Sequence, residues 1–138
     1  MTRVYLDANV VIFYVERNAL FFPQLKARLL DPAKRVDVVF SDLVRMETRL
    51  RPIRLGAHDL LAQYDNFFQA LQVQPVPMNG SVFDLATQLR AEHRLKTPDA
   101  LHLAAAIHAG CDEFWTQDQY LAAAAQNRLQ VVTFESKT

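Results

Sequence analysis

Two hydrophobic rhythms alternate along this chain, and their order limits its fold more than any single motif. Short β-branched apolar runs of strand length are separated by stretches whose apolar residues recur every three or four positions. Residues 3–7 (RVYLD), 36–40 (VDVVF), 113–116 (EFWT) and 129–134 (LQVVTF) read as strands, and 73–76 (VQPV) as a shorter strand broken by proline. Between them lie helical stripes. Leu60, Leu61, Tyr64, Phe67, Phe68 and Leu71 mark one face of 57–71. Leu25 and Leu29 mark a shorter helix stopped by Pro32. Val82, Ala86 and Leu89 mark 81–93, where Ser81 and Asp84 offer a cap. Residues 98–109 are almost wholly apolar and predict a buried helix, with Thr97 as cap, Pro98 in its first turn and Gly110 at its end. The stretch 9–18 has strand composition, but Asp7 and Asn9 mark a turn and cap, so a helix starting near Asn9 is expected.

Strands alternating with helices predict a parallel sheet covered on both faces. The expected fold is therefore α/β: a three-layer α/β/α sandwich around a mainly parallel, five-stranded sheet. At 138 residues the chain is the size of one domain, 1–138. Its 51% hydrophobic and 22% charged residues support a packed core and exclude a disordered chain. A single cysteine, Cys111, excludes an intramolecular disulfide and a cysteine-cluster metal site, as in a reducing cytoplasm. The start at a strand without a basic-then-apolar leader leads us to expect no secretory signal. No apolar run is long enough to span a bilayer, so no membrane partner is expected.

In parallel sheets, sites form outside the carboxyl ends of the strands. Four acids stand there: Asp7 ends the first strand, Glu47 follows the second, Asp99 opens the buried helix and Asp118 follows the strand EFWT. Asp7, Asp99 and Asp118 each sit where a helix N-terminus is expected, and any one of them alone reads as a structural cap. Glu47 does not. It lies more than a turn inside a helix that starts at Ser41 or Asp42, on a stripe with Leu43, Met46 and Leu50 that reads as inward-facing. A buried carboxylate costs several kcal/mol unless something offsets it. An arginine is one answer and a metal ion is the other. Four acids converging on one sheet edge would repel one another, and a divalent cation removes that cost. Oxygen donors without cysteine suit Mg2+ or Mn2+, and carboxylate-held Mg2+ with waters left on it suits phosphate chemistry.

Asn9 and Thr116 lie two residues from Asp7 and Asp118. Each is placed to hold a carboxylate or a metal-bound water, or equally to bond its own turn. His102, one turn beyond Asp99, reads as a hydrogen-bonded core residue, as a lone histidine on an apolar helix usually is. Ser41 has no His–Asp partners in the sequence, which sets nucleophilic catalysis aside.

The segments YLDANV, SDLVRMET, KTPDALHLAAA and FWTQD, in this order, resemble the PIN-domain family, and especially its small VapC-type ribonuclease toxins of type II toxin–antitoxin pairs. The resemblance covers essentially the whole chain. It implies a PIN-like α/β/α fold and a metal-dependent endoribonuclease with Mg2+ or Mn2+ as cofactor. It implies an RNA substrate, an antitoxin partner and a homodimer. The family's metal-binding acids map onto Asp7, Glu47, Asp99 and Asp118, and its polar residue before the last acid onto Thr116.

Net charge is zero, with 15 basic and 15 acidic residues, which by itself argues against a nucleic-acid binder. Committing four acids to a metal leaves the balance basic. The bases also cluster: Arg45, Arg49, Arg51 and Arg54 in one stretch, and Arg90, Arg94 and Lys96 before Asp99. Arg45, Arg49, Arg94 and Lys96 are the candidates for holding an RNA backbone, and a solvated helix face is the other reading. A phosphatase of the haloacid-dehalogenase type needs a second aspartate two residues after the first, where this chain has Asn9. A receiver domain needs an aspartate ending its third strand, where VQPVPMNG has none. The alternative that survives is a PIN-like scaffold that binds RNA or protein without cleaving it.

Overall fold

The computed structural model describes residues 1–136. Among these the chain forms four strands: β1 (Thr2–Leu6), β2 (Val36–Val39), β3 (Glu113–Trp115) and β4 (Gln130–Val132). Two helices, α1 (Ala8–Val15) and α2 (Phe21–Leu29), connect β1 to β2. Four more connect β2 to β3: α3 (Asp42–Arg54), α4 (His58–Ala70), α5 (Gly80–His93) and α6 (Thr97–His108). The helix α7 (Gln119–Ala125) returns the chain to β4.

The strands pair in the order β2-β1-β3-β4, and all three pairings are parallel. Val4, Tyr5 and Leu6 of β1 are all buried, as are Glu113, Phe114 and Trp115 of β3. Since successive strand residues point to opposite faces, both faces of the sheet are covered by helices. This is the expected α/β architecture.

The strand count differs from the expectation. Residues 73–76 make one parallel bridge, Ser41 with Val76, held by Val76 N–H donating to the Phe40 carbonyl at 2.8 Å. Val76's partner Ser41 is already the cap of α3, so the pairing has no extended residue beyond it to continue along, and four strands form instead of five. Two helix starts also differ. The cap of α5 is Asn79, whose side chain accepts from Val82 N–H at 3.2 Å, rather than Ser81 or Asp84. The helix α6 begins at Thr97 itself, with Lys96 in the cap position. Its end is as expected. Gly110 adopts φ +68°, Gly110 N–H bonds the Ile107 carbonyl, and Cys111 N–H bonds that of Ala106. This is a Schellman closure, which needs a left-handed residue at that point.

The helical stripes of α4, α5 and α6 face the core as their spacing predicts: Tyr64 and Phe68, then Val82, Ala86 and Leu89, then Ala100 through Ala106 are buried. The stripe of α3 does not. Its buried side chains are Val44, Thr48 and Pro52, whereas Met46, Leu50 and Ile53 are exposed. Thr48 qualifies for the interior because its hydroxyl donates to the Val44 carbonyl one turn back, at 2.9 Å. Leu43, Met46, Glu47 and Leu50 therefore form the outer edge of α3, and Glu47 is half-buried where that edge meets the sheet.

Candidate active site

The chain leaves β1 for β2 on one side and later enters β3 on the other, so strand order reverses between β1 and β3. Loops diverge at such a switch point and open a crevice at the carboxyl ends of the strands. Asp7 directly follows β1, and Thr116 directly follows β3. The Thr116 hydroxyl donates to Asp7 Oδ2 at 2.8 Å across the crevice and accepts from Asp118 N–H at 3.1 Å. Thr116 is fully buried, so this bond ties the two strand ends together and orients Asp7. The hydroxyl thus makes both of the bonds its position allowed, one to a carboxylate and one within its own turn.

A cleft of about 380 Å³ opens here, lined by Asp7, Ala8, Asn9, Ile12, Glu47, Leu50, Asp99, His102 and Asp118. All four acids singled out in the sequence border it. They arrive from four places: the β1–α1 junction, the middle of α3, the first turn of α6 and the cap of α7. Among the described residues, no three His, Cys, Asp or Glu side chains are gathered tightly enough to hold a metal ion as they stand.

The cap reading separates the acids. Asp118 is a cap: its Oδ1 accepts from Tyr120 N–H at 3.0 Å and Leu121 N–H at 3.1 Å. Asp7 occupies the cap position of α1 but makes no side-chain cap bond, and its carboxylate turns to Thr116 instead. Asp99 lies in the first turn of α6, where its charge meets the positive end of the helix dipole. Glu47 accepts a hydrogen bond from His102 Nε2.

Two of the acids hold their protons more tightly than usual. Burial raises the Asp7 carboxyl, with the charge of Glu47 adding to it. Asp99 is raised first by burial, then by the negative charges of Asp118 and Asp7, with Glu47 contributing. The acids are thus close enough to repel one another, the electrostatic condition in which a cation is favoured. The donor chemistry fits a hard divalent ion. His102 does not add a ligand, since its Nε2 is engaged by Glu47 and its Nδ1 by the Tyr5 hydroxyl at 2.8 Å.

Other sequence candidates lie around the cleft. Asn9 is exposed at its mouth. Arg94, in the left-handed conformation at φ 54°, and Lys96 are exposed on the turn leading to Asp99. Arg45 and Arg49 are held by carboxylates, Arg45 Nη1 by Asp42 at 3.0 Å and Arg49 Nε by Asp65 at 2.9 Å. None of these four bases lines the cleft wall. A larger groove of about 780 Å³ runs beside Tyr14, Phe22 and Phe67, but its one carboxylate, Glu16, already meets Tyr64 and Arg51. Its size alone gives it no chemistry.

His102 is the functional-site residue that sequence reasoning undervalued. It is buried and hydrogen-bonded, as a core histidine should be, yet one of its partners is a candidate metal ligand. The one signal in the sequence was its position a turn beyond Asp99.

A family model described as PIN domain matches residues 4–134. No curated protein sequence matches the chain. Solved structures share the fold. VapBC2 from Rickettsia felis, bound to a DNA fragment from the pair's promoter, aligns with a TM-score of 0.73 at 12% identity, covering 97% of this chain and 100% of that one. DNA-bound VapBC from Salmonella typhimurium gives 0.70 at 18%, covering 96% and 98%. A toxin–antitoxin complex from Klebsiella pneumoniae gives 0.67 at 21%, covering 94% and 96%.

Proposed function

The chain belongs to the PIN-domain family, and from that premise we propose that it is a divalent-metal-dependent endoribonuclease, the toxin of a toxin–antitoxin pair. The observation that carries this reading is the single cleft at the sheet's switch point, bordered by Asp7, Glu47, Asp99 and Asp118 and by no other acid. Those four residues would hold Mg2+ or Mn2+. When bound, such an ion activates a water, orients the phosphodiester and stabilises charge on the leaving oxygen.

The chain's own contribution is placement. Thr116 holds Asp7 and fixes the backbone of Asp118. Asn9, at the open mouth, is placed to bond a water or a phosphate oxygen. Arg94 and Lys96 flank the approach to Asp99 and supply the charge that holds an RNA backbone. Arg45 and Arg49 join them only where RNA phosphates displace Asp42 and Asp65, so their share of binding is smaller.

The partner proposal rests on likeness: the solved structures that share this fold include a toxin–antitoxin complex and VapBC pairs, one of them described as a member of the VapBC family of toxin–antitoxin systems. A cognate antitoxin is accordingly proposed, as are a homodimer and a cytoplasmic site of action alongside RNA. Among the described residues no helix is long and apolar enough to cross a membrane. Co-purification with the product of an adjacent small gene tests the antitoxin, and light scattering tests the dimer.

The deciding experiment maps new RNA 5′ ends in cells producing the wild-type chain or Asp99→Asn, alongside cleavage by purified protein with Mg2+, with Mn2+ and with chelator. Discrete ends that need both Asp99 and the metal support the nuclease. RNA binding without cleavage under all three conditions would favour the non-catalytic scaffold.

A further inference from the structure

We propose that His102 is the positioning residue for Glu47, held in register by a buried hydrogen-bond relay through Tyr5 and Ser41. The proposal deepens the metal-nuclease reading above and rests on it. Four hydrogen bonds build the relay. Val44 N–H donates to Ser41 Oγ at 3.3 Å, and Ser41 Oγ and Tyr5 Oη are 2.8 Å apart. Tyr5 Oη and His102 Nδ1 are also 2.8 Å apart, and His102 Nε2 meets Glu47 Oε1. Ser41, Tyr5 and His102 are all buried to within 1% of full exclusion from solvent.

Hydrogen counting gives the relay a direction. A carboxylate only accepts, so His102 Nε2 carries a proton and donates to Glu47. Tyr5 is kept protonated by its burial and donates to Nδ1. Its oxygen then accepts from the Ser41 hydroxyl, which in turn accepts from Val44 N–H. The opposite direction would leave the Ser41 proton without an acceptor among the described residues, in a side chain with no access to water. Every donor is used once, and the His102 tautomer is fixed by the bond its other nitrogen makes.

The path has a geometric consequence. It starts at the cap of α3 and ends on Glu47, a turn and a half further along the same helix, after passing through β1 and α6. It therefore locks α3 to the sheet edge at the height of the cleft. Glu47 needs such a lock: its side chain is 30% exposed and sits on the outer edge of α3. Neighbours that orient a metal-binding carboxylate commonly set its affinity.

The test uses Mn2+ binding to the purified, metal-free chain by calorimetry. His102→Gln keeps a donor near Nε2, while His102→Asn keeps only the reach toward Tyr5. His102→Asn is expected to weaken Mn2+ binding about 10- to 100-fold, and His102→Gln no more than about 3-fold. In the metal-free wild type, nitrogen-15 spectra should show a proton on His102 Nε2, with Nδ1 as an acceptor. Equal affinities of His102→Asn and wild type would overturn the role, as would equal weakening by both variants. An Nδ1–H tautomer would overturn it without any variant having to fold. A wild-type chain that binds no Mn2+ would instead overturn the metal reading, and this role with it.

Discussion

At Asp7 the folded chain gives up stability. Its carboxyl is buried and raised above the 3.8 of a free aspartate, so at neutral pH the folded state holds a charge it disfavours. The sign follows from linkage. A raised carboxyl penalises folding fully above its folded pKa, and the penalty fades as pH falls toward the unfolded value. We expect metal-free Asp7→Asn to be more stable than wild type at pH 7, read as a higher Tm. The gap should close as the pH approaches 3.8. RNA cleavage by the variant should be abolished. A melting curve in which Asp7→Asn loses several degrees at pH 7 would instead mark Asp7 as a structural residue. Asp118 calls for a pair of substitutions, because it caps α7 as well as bordering the cleft. Asp118→Asn keeps a cap and should stay folded while losing activity, whereas Asp118→Ala should also lose about 1 kcal/mol in urea titrations. Equal stability of the two would mean that the cap bonds to Tyr120 and Leu121 contribute nothing.

Among the elements, α6 and β3 do most to fix the cleft. Between them the chain turns at Gly110, whose φ of +68° strains any other residue. Space is not the obstacle, since the nearest atom to an added Cβ would be the flexible Arg3 guanidinium at 3.9 Å. Gly110→Ala should therefore cost about 1 kcal/mol through backbone strain alone, read as a lower denaturation midpoint at unchanged slope. A change of slope would point to a different effect on the chain. At the carboxyl end of β3, Thr116 joins two strand ends through one hydroxyl. Thr116→Val keeps the volume but leaves the buried Asp7 oxygen without its donor. A loss of about 1–3 kcal/mol is expected, and hydrogen exchange at the Asp118 amide should quicken. Unchanged stability would show that Asp7 finds another donor.

For the whole molecule, mutual repulsion among four carboxylates links metal to folding. An ion that binds only the folded cleft stabilises it by mass action, about 1.4 kcal/mol at ten times Kd. Millimolar Mg2+ should raise Tm in the wild type, and the shift should shrink sharply in Asp99→Asn. A wild-type Tm that ignores Mg2+ and Mn2+ alike would remove the basis of the proposed hydrolysis. The same comparison separates a metal effect from general salt screening, because screening would act on both chains.

The alternation of strand and helix rhythms by itself determined the architecture, because periodicity records which side of each element meets the core. Thus α4, α5, α6 and the ends of β1 and β3 were legible, and Asp7 could be placed at a strand end where sites form. Single-sequence patterns were weaker where local chemistry competed with periodicity. The helix α3 starts one residue past the Ser41–Val76 bridge, which holds the expected fifth strand to that single bridge. On α3, Thr48 took the interior through a bond to its own helix and left Met46 and Leu50 outside, which periodicity could not foresee. Only the tertiary structure decided that Asp7 turns to Thr116 and does not cap α1, and that His102 spends its outer nitrogen on Glu47. Those outcomes depend on partners 55 and 109 residues away in sequence, and a distance of that kind leaves no periodic trace along the chain.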